Sequence, residues 1–302
     1  MGKSMDAETA STDLVPVTSR RVPALHGRRI GEILAEAGKL QEEDIQAILD
    51  YQLQQSIRFG EAAVQLGLVT EADVRNALSR QFDYPYLAAG SSAVSEEIVA
   101  AYEPFGRHAE MMRALRSEII ARWLDHEAGG KALAIVSPDR SEGRSYVTAN
   151  LAVSFAQLGK RTLLIDADMR NPRQHALFGL DIQSGLSAVL TGRGEASSVR
   201  QVAPFENLCI LPAGVLPPNP QELLVRPDFG WLLREVEKNF DVVLIDTPPG
   251  GQFADAHAVA SSAHGALMVI RKDHTRPRAV TALGDKLSTA KSRVIGTVLN
   301  EI

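Results

Sequence analysis

The sequence predicts an α/β protein in which a doubly wound, mostly parallel sheet follows a small N-terminal all-α repeat domain. Three observations carry that prediction. From about residue 131, short apolar runs alternate with longer stretches of helical spacing, the pattern of a parallel sheet covered by helices on both faces. Residues 29–52 recur in residues 58–81 at a constant offset of 29. The first apolar run also opens into "SPDRSEGRS" (137–145), a strand-loop-helix turn of the kind that receives a phosphate.

Length and composition set the frame. A chain of 302 residues, 45% apolar and 23% charged, has material for one large or two smaller cores. A net charge of -5 argues against a nucleic-acid polymer as partner. The single cysteine, Cys209, lies in the apolar run "LCILPAG", so it is expected in the core and excludes an intramolecular disulfide. No run reaches the ~20 apolar residues that span a bilayer, and no secretion segment is evident. The expected location is therefore cytoplasmic.

The domains divide as follows. Residues 1–27 hold few large apolar groups and are expected to form a mobile tail. Residues 28–90 form the helical repeat. Eight positions of the two copies are identical, among them Arg29/Arg58, Gly31/Gly60, Gly38/Gly67, Asp44/Asp73 and Gln52/Gln81. In each copy a short helix is expected to close at Gly38 or Gly67, and Thr70 with Asp73 supplies an N-cap for the helix that follows. Each copy should thus be a helical hairpin burying Ile, Leu and Val. Residues 91–130 read as a linker and a helix, and 131–302 as the sheet domain. Its candidate strands are "ALAIVS", "TLLIDAD", "LCILPAG", "VVLIDTP", "GALMVI" and "VIGTVLN".

The loop after the first strand is the first candidate site. Backbone amides at a helix N-terminus converge on a phosphate, and Gly143 leaves the approach open. Ser145 falls where a hydroxyl ligates magnesium, and Tyr146 where a second hydroxyl residue is common. Arg144 occupies the lysine position of such loops. Its charge is permanent, but its planar fork is not a compact ammonium. Ser141 and Glu142 complete the expected phosphate contacts. Downstream, "LLIDADMR" sets Asp166 and Asp168 at a strand's carboxyl end, and "VVLIDTPP" sets Asp246 at another. Ligands bind at such ends in doubly wound sheets, and carboxylates there hold magnesium directly or through water. The expected class is a P-loop NTPase-like site for phosphoryl transfer or nucleotide switching.

From about residue 105 onward the chain resembles the bacterial tyrosine kinases of exopolysaccharide synthesis. "DADMRNPRQHALFGL", "GLSAVLTG", "LPAGVLPPNPQELL" and "FDVVLIDTPP" carry the likeness, as does the E-x-x-R-x-x-R pattern of Glu110, Arg113 and Arg116. With the repeat added, the architecture is similar to chain-length-determinant tyrosine kinases of the EpsG type, a subgroup in which arginine in the loop is common. The resemblance implies ATP and Mg2+ as cofactors. It implies that the loop amides and Arg144 hold the β- and γ-phosphates, that Ser145 and Asp246 hold the metal with Asp166 beside it, and that Asp166, assisted by Asp168, acts on the tyrosine hydroxyl. Asn300 is a candidate for reading the base or a turn cap. Arg170 and Arg173 are candidates for phosphate or a neighbouring subunit. Glu110, Arg113 and Arg116 would join subunits into a homo-oligomeric ring. A membrane polysaccharide copolymerase would be a separate partner and would hold the chain at the inner membrane.

Two features bear on that reading. Family members carry tyrosines in a C-terminal tail, whereas no tyrosine follows Tyr146 here, leaving Tyr51, Tyr84, Tyr86 and Tyr102 or another protein as acceptor. The repeat, in turn, resembles N-terminal domains of type II secretion and pilus assembly ATPases, where paired Arg-x-Gly motifs bind cyclic di-GMP. By that resemblance Arg29, Gly31, Arg58 and Gly60 are candidate contacts. Read from the residues alone, the unit is either a structural element with solvated arginines or a sensor of a dinucleotide or partner. Three functions therefore stay open: a tyrosine kinase controlling polysaccharide chain length or export, a catalytically weak nucleotide-binding scaffold, and a positioning ATPase of the partition type.

Overall fold

The computed structural model describes residues 29–82, 84–88, 90, 92–125, 130–194 and 198–301. The tail expected over 1–27 lies outside them. The described chain divides into two compact units at Ser92/Ala93.

The smaller unit holds helices α1 (Ile30–Glu36), α2 (Glu42–Gln55), α3 (Phe59–Gln65) and α4 (Glu71–Gln81). Its fully buried positions follow the repeat, since Ile33, Leu34, Leu40 and Ile48 of the first copy match Ala62, Ala63, Val69 and Ala77 of the second. Each helix starts with an acidic residue at its third position that accepts the hydrogen bond of the capping backbone amide: Glu32 from Arg29, Asp44 from Gln41, Glu61 from Arg58 and Asp73 from Thr70, at 2.8–3.1 Å. These amides have no partner inside the helix, so a side-chain acceptor is what satisfies them. Gly38 and Gly67 take φ of 69° and 68°, the left-handed closure a side chain resists.

The copies do not form independent hairpins. Helix α1 packs chiefly on α4, and α2 on α3; the Lys39–Asp73 ion pair (3.0 Å) and the Tyr51–Gln65 hydrogen bond (3.3 Å) also run between copies. A two-helix hairpin has too little apolar surface to close a core, so each copy completes the other.

The larger unit is a seven-stranded sheet in the order β3-β4-β2-β5-β1-β6-β7. Its strands are β1 (Ala132–Val136), β2 (Thr162–Asp166), β3 (Arg200–Val202), β4 (Phe205–Leu211), β5 (Val242–Asp246), β6 (Gly265–Arg271) and β7 (Arg293–Asn300). All neighbours are parallel except β3 against β4. Strand β3 was not among the expected six, because three residues with two polar side chains make no apolar run. β1, β2 and β5 are buried throughout, the mark of strands covered on both faces. Their covering elements include α7 (Arg144–Gln157), α11 (Pro227–Asn239) and α12 (Asp255–Ala263), while α13 (Pro277–Thr289) lies on β7.

Much of the segment expected as a linker belongs to this unit. Helices α5 (Val99–Tyr102) and α6 (Arg107–Ile119), with the π-helical turn Ile120–Leu124, are tied to the sheet and its cover. Asn150 accepts from the Ala100 amide (2.9 Å), Gln157 donates to the Ala100 carbonyl (2.9 Å), and buried Trp123 donates to the Ala132 carbonyl (3.0 Å).

Candidate active site

Strand β1 leads from its neighbours toward β2 on one side of the sheet, and β5 leads across it to β6 on the other. The crevice at such a reversal lies outside the carboxyl ends. Three sequence-derived groups end there: the 137–145 loop after β1, Asp166 closing β2, and Asp246 closing β5 directly opposite Asp166 in register.

The loop turns through two left-handed residues, Ser141 (φ 57°) and Gly143 (φ 93°), before α7 begins at Arg144. Glu142 holds that shape. It is fully buried, its Oε2 accepts the Asp139 amide (2.7 Å), its Oε1 accepts the Thr275 hydroxyl, and its carbonyl accepts Asn300 Nδ2 (3.0 Å). Asn300, a candidate base reader, thus ties the end of β7 to the loop through its amide nitrogen. Ser145 and Tyr146 are half-buried in the first turn of α7, and burial raises the Tyr146 phenol.

Arg144 is folded into the loop. Its guanidinium donates to the carbonyls of Thr247 (2.8 Å) and Asp139 (2.7 Å) and to the Ser137 hydroxyl. Only 8% of the residue is exposed. Burial loosens its proton, while the Asp246, Asp168 and Glu142 carboxylates counteract that. Three divergent donor directions are used at once, which a planar fork can supply and an ammonium on a flexible stem cannot hold as rigidly. Arginine is therefore fitted to this loop and not merely tolerated by it.

The carboxylates are unequal. Asp166 is fully buried and accepts the amides of Asp168 (3.2 Å), Arg173 (3.1 Å) and Gln174 (3.0 Å). Burial, then the Asp246 charge beside it, pushes its carboxyl well above the usual range. Asp246 is raised by burial against the pull of Arg144 and Gln174, with the nearby Ser145 hydroxyl also favouring the charged form. Asp168 keeps 6% exposure, accepts the Asn171 amide (2.9 Å), and is raised to about 6, mainly by burial. A like charge on the adjacent strand, in a dry site, adds to burial in raising Asp166 in this way.

Gln174, at the start of the short helix α8 (Gln174–Leu177), was not singled out from sequence. It joins the three parts of the site: its backbone amide serves Asp166, and its Nε2 donates to Asp246 Oδ2 (2.7 Å) and the Ser145 carbonyl (3.1 Å). A glutamine in a polar stretch carries no signal of its own; only the return of the chain beside β5 reveals it.

The site offers a fit for a magnesium-bound phosphate. Asp246 Oδ1 is buried without a hydrogen-bonding partner within the protein, and the Ser145 hydroxyl lies beside the same carboxylate. Among the described residues no three His, Cys, Asp or Glu side chains group closely enough to hold a metal by themselves. Magnesium takes few protein ligands and keeps water and phosphate oxygens, so Ser145 and Asp246 are the residues here that would hold it.

Other expected residues lie elsewhere. Arg170 is bound bidentately to buried Asp255 (3.1 and 3.2 Å) and lies over Phe253 (4.4 Å). Arg173 pairs with Glu97 (2.5 Å). On α6, Arg113 pairs with Glu110 on its own helix (Nε to Oε2, 3.0 Å), and Arg116 turns inward, 9% exposed, onto the Ser154 carbonyl (2.6 Å). Among the candidate acceptors, the hydroxyls of Tyr51, Tyr86 and Tyr102 donate to Gln65, Asn76 and the Val94 carbonyl. In the repeat, Arg29 and Arg58 are exposed. A side chain on Gly31 would press on Phe59 at 3.1 Å, and one on Gly60 would meet Val74 at 2.6 Å, so both glycines serve helix packing.

The family described as an AAA domain matches residues 131–293. Over 209 residues the chain is 35% identical to tyrosine-protein kinase YwqD of Bacillus subtilis (strain 168), spanning 69% of this chain and 87% of that one. The chain belongs to the bacterial tyrosine-protein kinases. Among solved tyrosine kinases, the kinase domain of Escherichia coli ETK is 30% identical, with a TM-score of 0.64 and coverage of 68% of this chain and 80% of that one. The septum site-determining protein MinD of Pyrococcus horikoshii, solved with Mg-ADP, aligns at a TM-score of 0.50 and 25% identity over 57% of this chain and 70% of that one. This tyrosine kinase thus has the doubly wound, mostly parallel P-loop-type sheet that the sequence predicts.

Proposed function

We propose that the chain transfers the γ-phosphoryl group of ATP to a protein tyrosine and thereby controls the length or export of an exopolysaccharide, working with a membrane polysaccharide copolymerase. The observation that carries the phosphoryl-transfer reading is the register of β2 with β5, which sets Asp166 beside Asp246 under the phosphate loop. The loop amides and Arg144 would hold the β- and γ-phosphates. Arg144 must then exchange part of its bonding to Thr247, Asp139 and Ser137 for phosphate oxygens. Ser145 and Asp246 would hold magnesium, which supplies neutralisation of phosphate charge.

The difference in burial favours the opposite division of roles to the one the resemblance implies for the aspartate pair. Asp166 is enclosed and saturated by backbone donors, so it acts as a positioning group. Asp168 is buried but keeps 6% exposure, and its carboxyl stands at about 6, matched to a general base at neutral pH. We therefore assign Asp168 to accept the tyrosine proton. The face of α6 that carries Glu110 is the proposed surface for ring assembly; Arg116 would join it only by leaving Ser154. Recruitment to the inner membrane would pass through the copolymerase, since among the described residues no helix is long and apolar enough to cross a membrane. Cyclic di-GMP binding at Arg29 and Arg58 is the corresponding proposal for the repeat, and absence of heat on titration with high micromolar ligand removes it.

The test is incubation of the purified chain with ATP and magnesium, with and without the cytoplasmic part of the copolymerase, followed by phosphotyrosine mapping. Signal abolished in Asp166→Ala and Asp168→Asn supports transfer at this site. The inward fold of Arg144 favours a second reading, a nucleotide-dependent scaffold. Nucleotide-driven oligomerisation with no phosphotyrosine in any combination would establish the scaffold and end the kinase reading.

A further inference from the structure

The least explained group in the crevice is the side-chain oxygen of Gln174. The residue is fully buried, and its Nε2 faces two acceptors, Asp246 Oδ2 at 2.7 Å and the Ser145 carbonyl at 3.1 Å. A carbonyl oxygen can only accept, so the contact with Ser145 fixes which end of the amide is nitrogen. The oxygen, one bond from the same carbon, is left buried with no hydrogen-bonding partner, as is Asp246 Oδ1. Leaving a buried acceptor unsatisfied costs free energy. Two such acceptors on side chains bonded to each other, beside a half-buried serine hydroxyl, mark a place that waits for donors. The Ser145 hydroxyl beside Asp246 is one donor within reach of the aspartate, but no donor stands against the Gln174 oxygen. Water bound to a divalent cation supplies one, because the metal polarises its O–H bonds and magnesium retains several waters.

We propose that Gln174 is an outer ligand of the metal site, its Oε1 accepting a hydrogen bond from a water on the cation held by Ser145 and Asp246. This rests on the magnesium–nucleotide reading of the loop and adds to it a positioning residue. Through Nε2 the same side chain fixes the rotamer of Asp246, and through its backbone amide it fixes Asp166 (3.0 Å). One residue would thereby couple occupation of the metal position to the geometry of both strand-end carboxylates, as partners behind metal ligands do.

The experiment uses Mn2+ as a paramagnetic probe, titrated into the full chain with ADP present, with ADP binding measured separately in EDTA. Native protein is expected to bind Mn2+ in the presence of ADP. Gln174→Met, which keeps the length and removes both polar ends, is expected to weaken Mn2+ by about tenfold while ADP binding in EDTA stays within about twofold. A loss of Mn2+ affinity under about threefold, or an equal loss of ADP binding in EDTA, overturns the proposal. Failure of the native protein to bind Mn2+ with ADP instead removes the magnesium reading and this inference with it. Should Gln174→Met not fold, Gln174→Glu keeps an acceptor at the same place. Its rise in melting temperature on adding Mn2+ to the ADP complex should then at least equal the native rise, and a rise under about half of the native one rejects the assignment.

Discussion

Asp73 in the repeat unit and Asp168 in the sheet unit are the same side chain used in opposite ways. Asp73 accepts the Thr70 amide (3.0 Å) and hydroxyl (2.6 Å) and pairs with Lys39, and these contacts hold its carboxyl down at about 2. Asp168 is buried among other carboxylates and stands at about 6. The repeat spends its acids on free amide donors at helix ends, where negative charge is welcome. The sheet unit gathers Asp166, Asp168 and Asp246 where burial makes their charge unwelcome. The direction of each shift follows from what surrounds the carboxylate, free donors in the one case and burial beside other acids in the other.

The largest effect that could break this contrast is catalytic. Asp168→Asn should lower phosphotyrosine formation by roughly 10²- to 10⁴-fold and at the same time make the ligand-free protein more stable at pH 7.5. The folded carboxyl lies above its ordinary 3.8, so its contribution is fully present below pH 3.8 and is lost as pH rises through about 6. At pH 7.5 that loss is on the order of 2–3 kcal/mol. Denaturant unfolding from pH 4 to 8 should show the variant with a flatter profile, and a variant less stable than native at pH 7.5 would contradict the account.

Next in size is Arg144→Lys. Loss of the fork to Ser137, Asp139 and Thr247 should destabilise the ligand-free sheet unit by about 1–3 kcal/mol. Chemical denaturation measures it; unchanged stability accompanied by higher turnover would mean that the guanidinium hinders this site.

On the repeat side, Asp73→Asn should cost about 1 kcal/mol at pH 7, with the sign opposite to Asp168. A carboxyl lowered to about 2 stabilises above its ordinary 3.8, and that stabilisation fades as pH falls toward 2. Amide exchange of α4 against pH reads this locally. The smallest effect is expected at Glu61→Gln, a loss of a few tenths of a kcal/mol, because an amide oxygen still reaches the Arg58 backbone; a loss near that of Asp73→Asn would show that the two caps are not equivalent.

The repeat was legible because its offset of 29 preserves the acids, glycines and buried positions together. The cross-packing of α1 on α4 was not, since either pairing buries the same side chains. The strand-end aspartates were visible for a similar reason: an acid after a continuous apolar run has one place to go in a parallel sheet. Their inequality was hidden, because burial and amide contacts are set by the return of residues 168–174 over the crevice. Arg116 shows the same limit. Its spacing on α6 was readable, yet only the packing of α6 on α7 turns it inward to Ser154.

By itself the sequence determined the apolar strands, the repeat, the phosphate loop and the family, because these rest on period, spacing and residue type, which are local properties of a chain. The tertiary structure alone decided which carboxylate is sealed and which is reachable, that Arg144 folds into its own loop, and that Gln174 stands between the two aspartates. Those are consequences of desolvation and of hydrogen-bond partners far apart in the chain, and no local pattern encodes them.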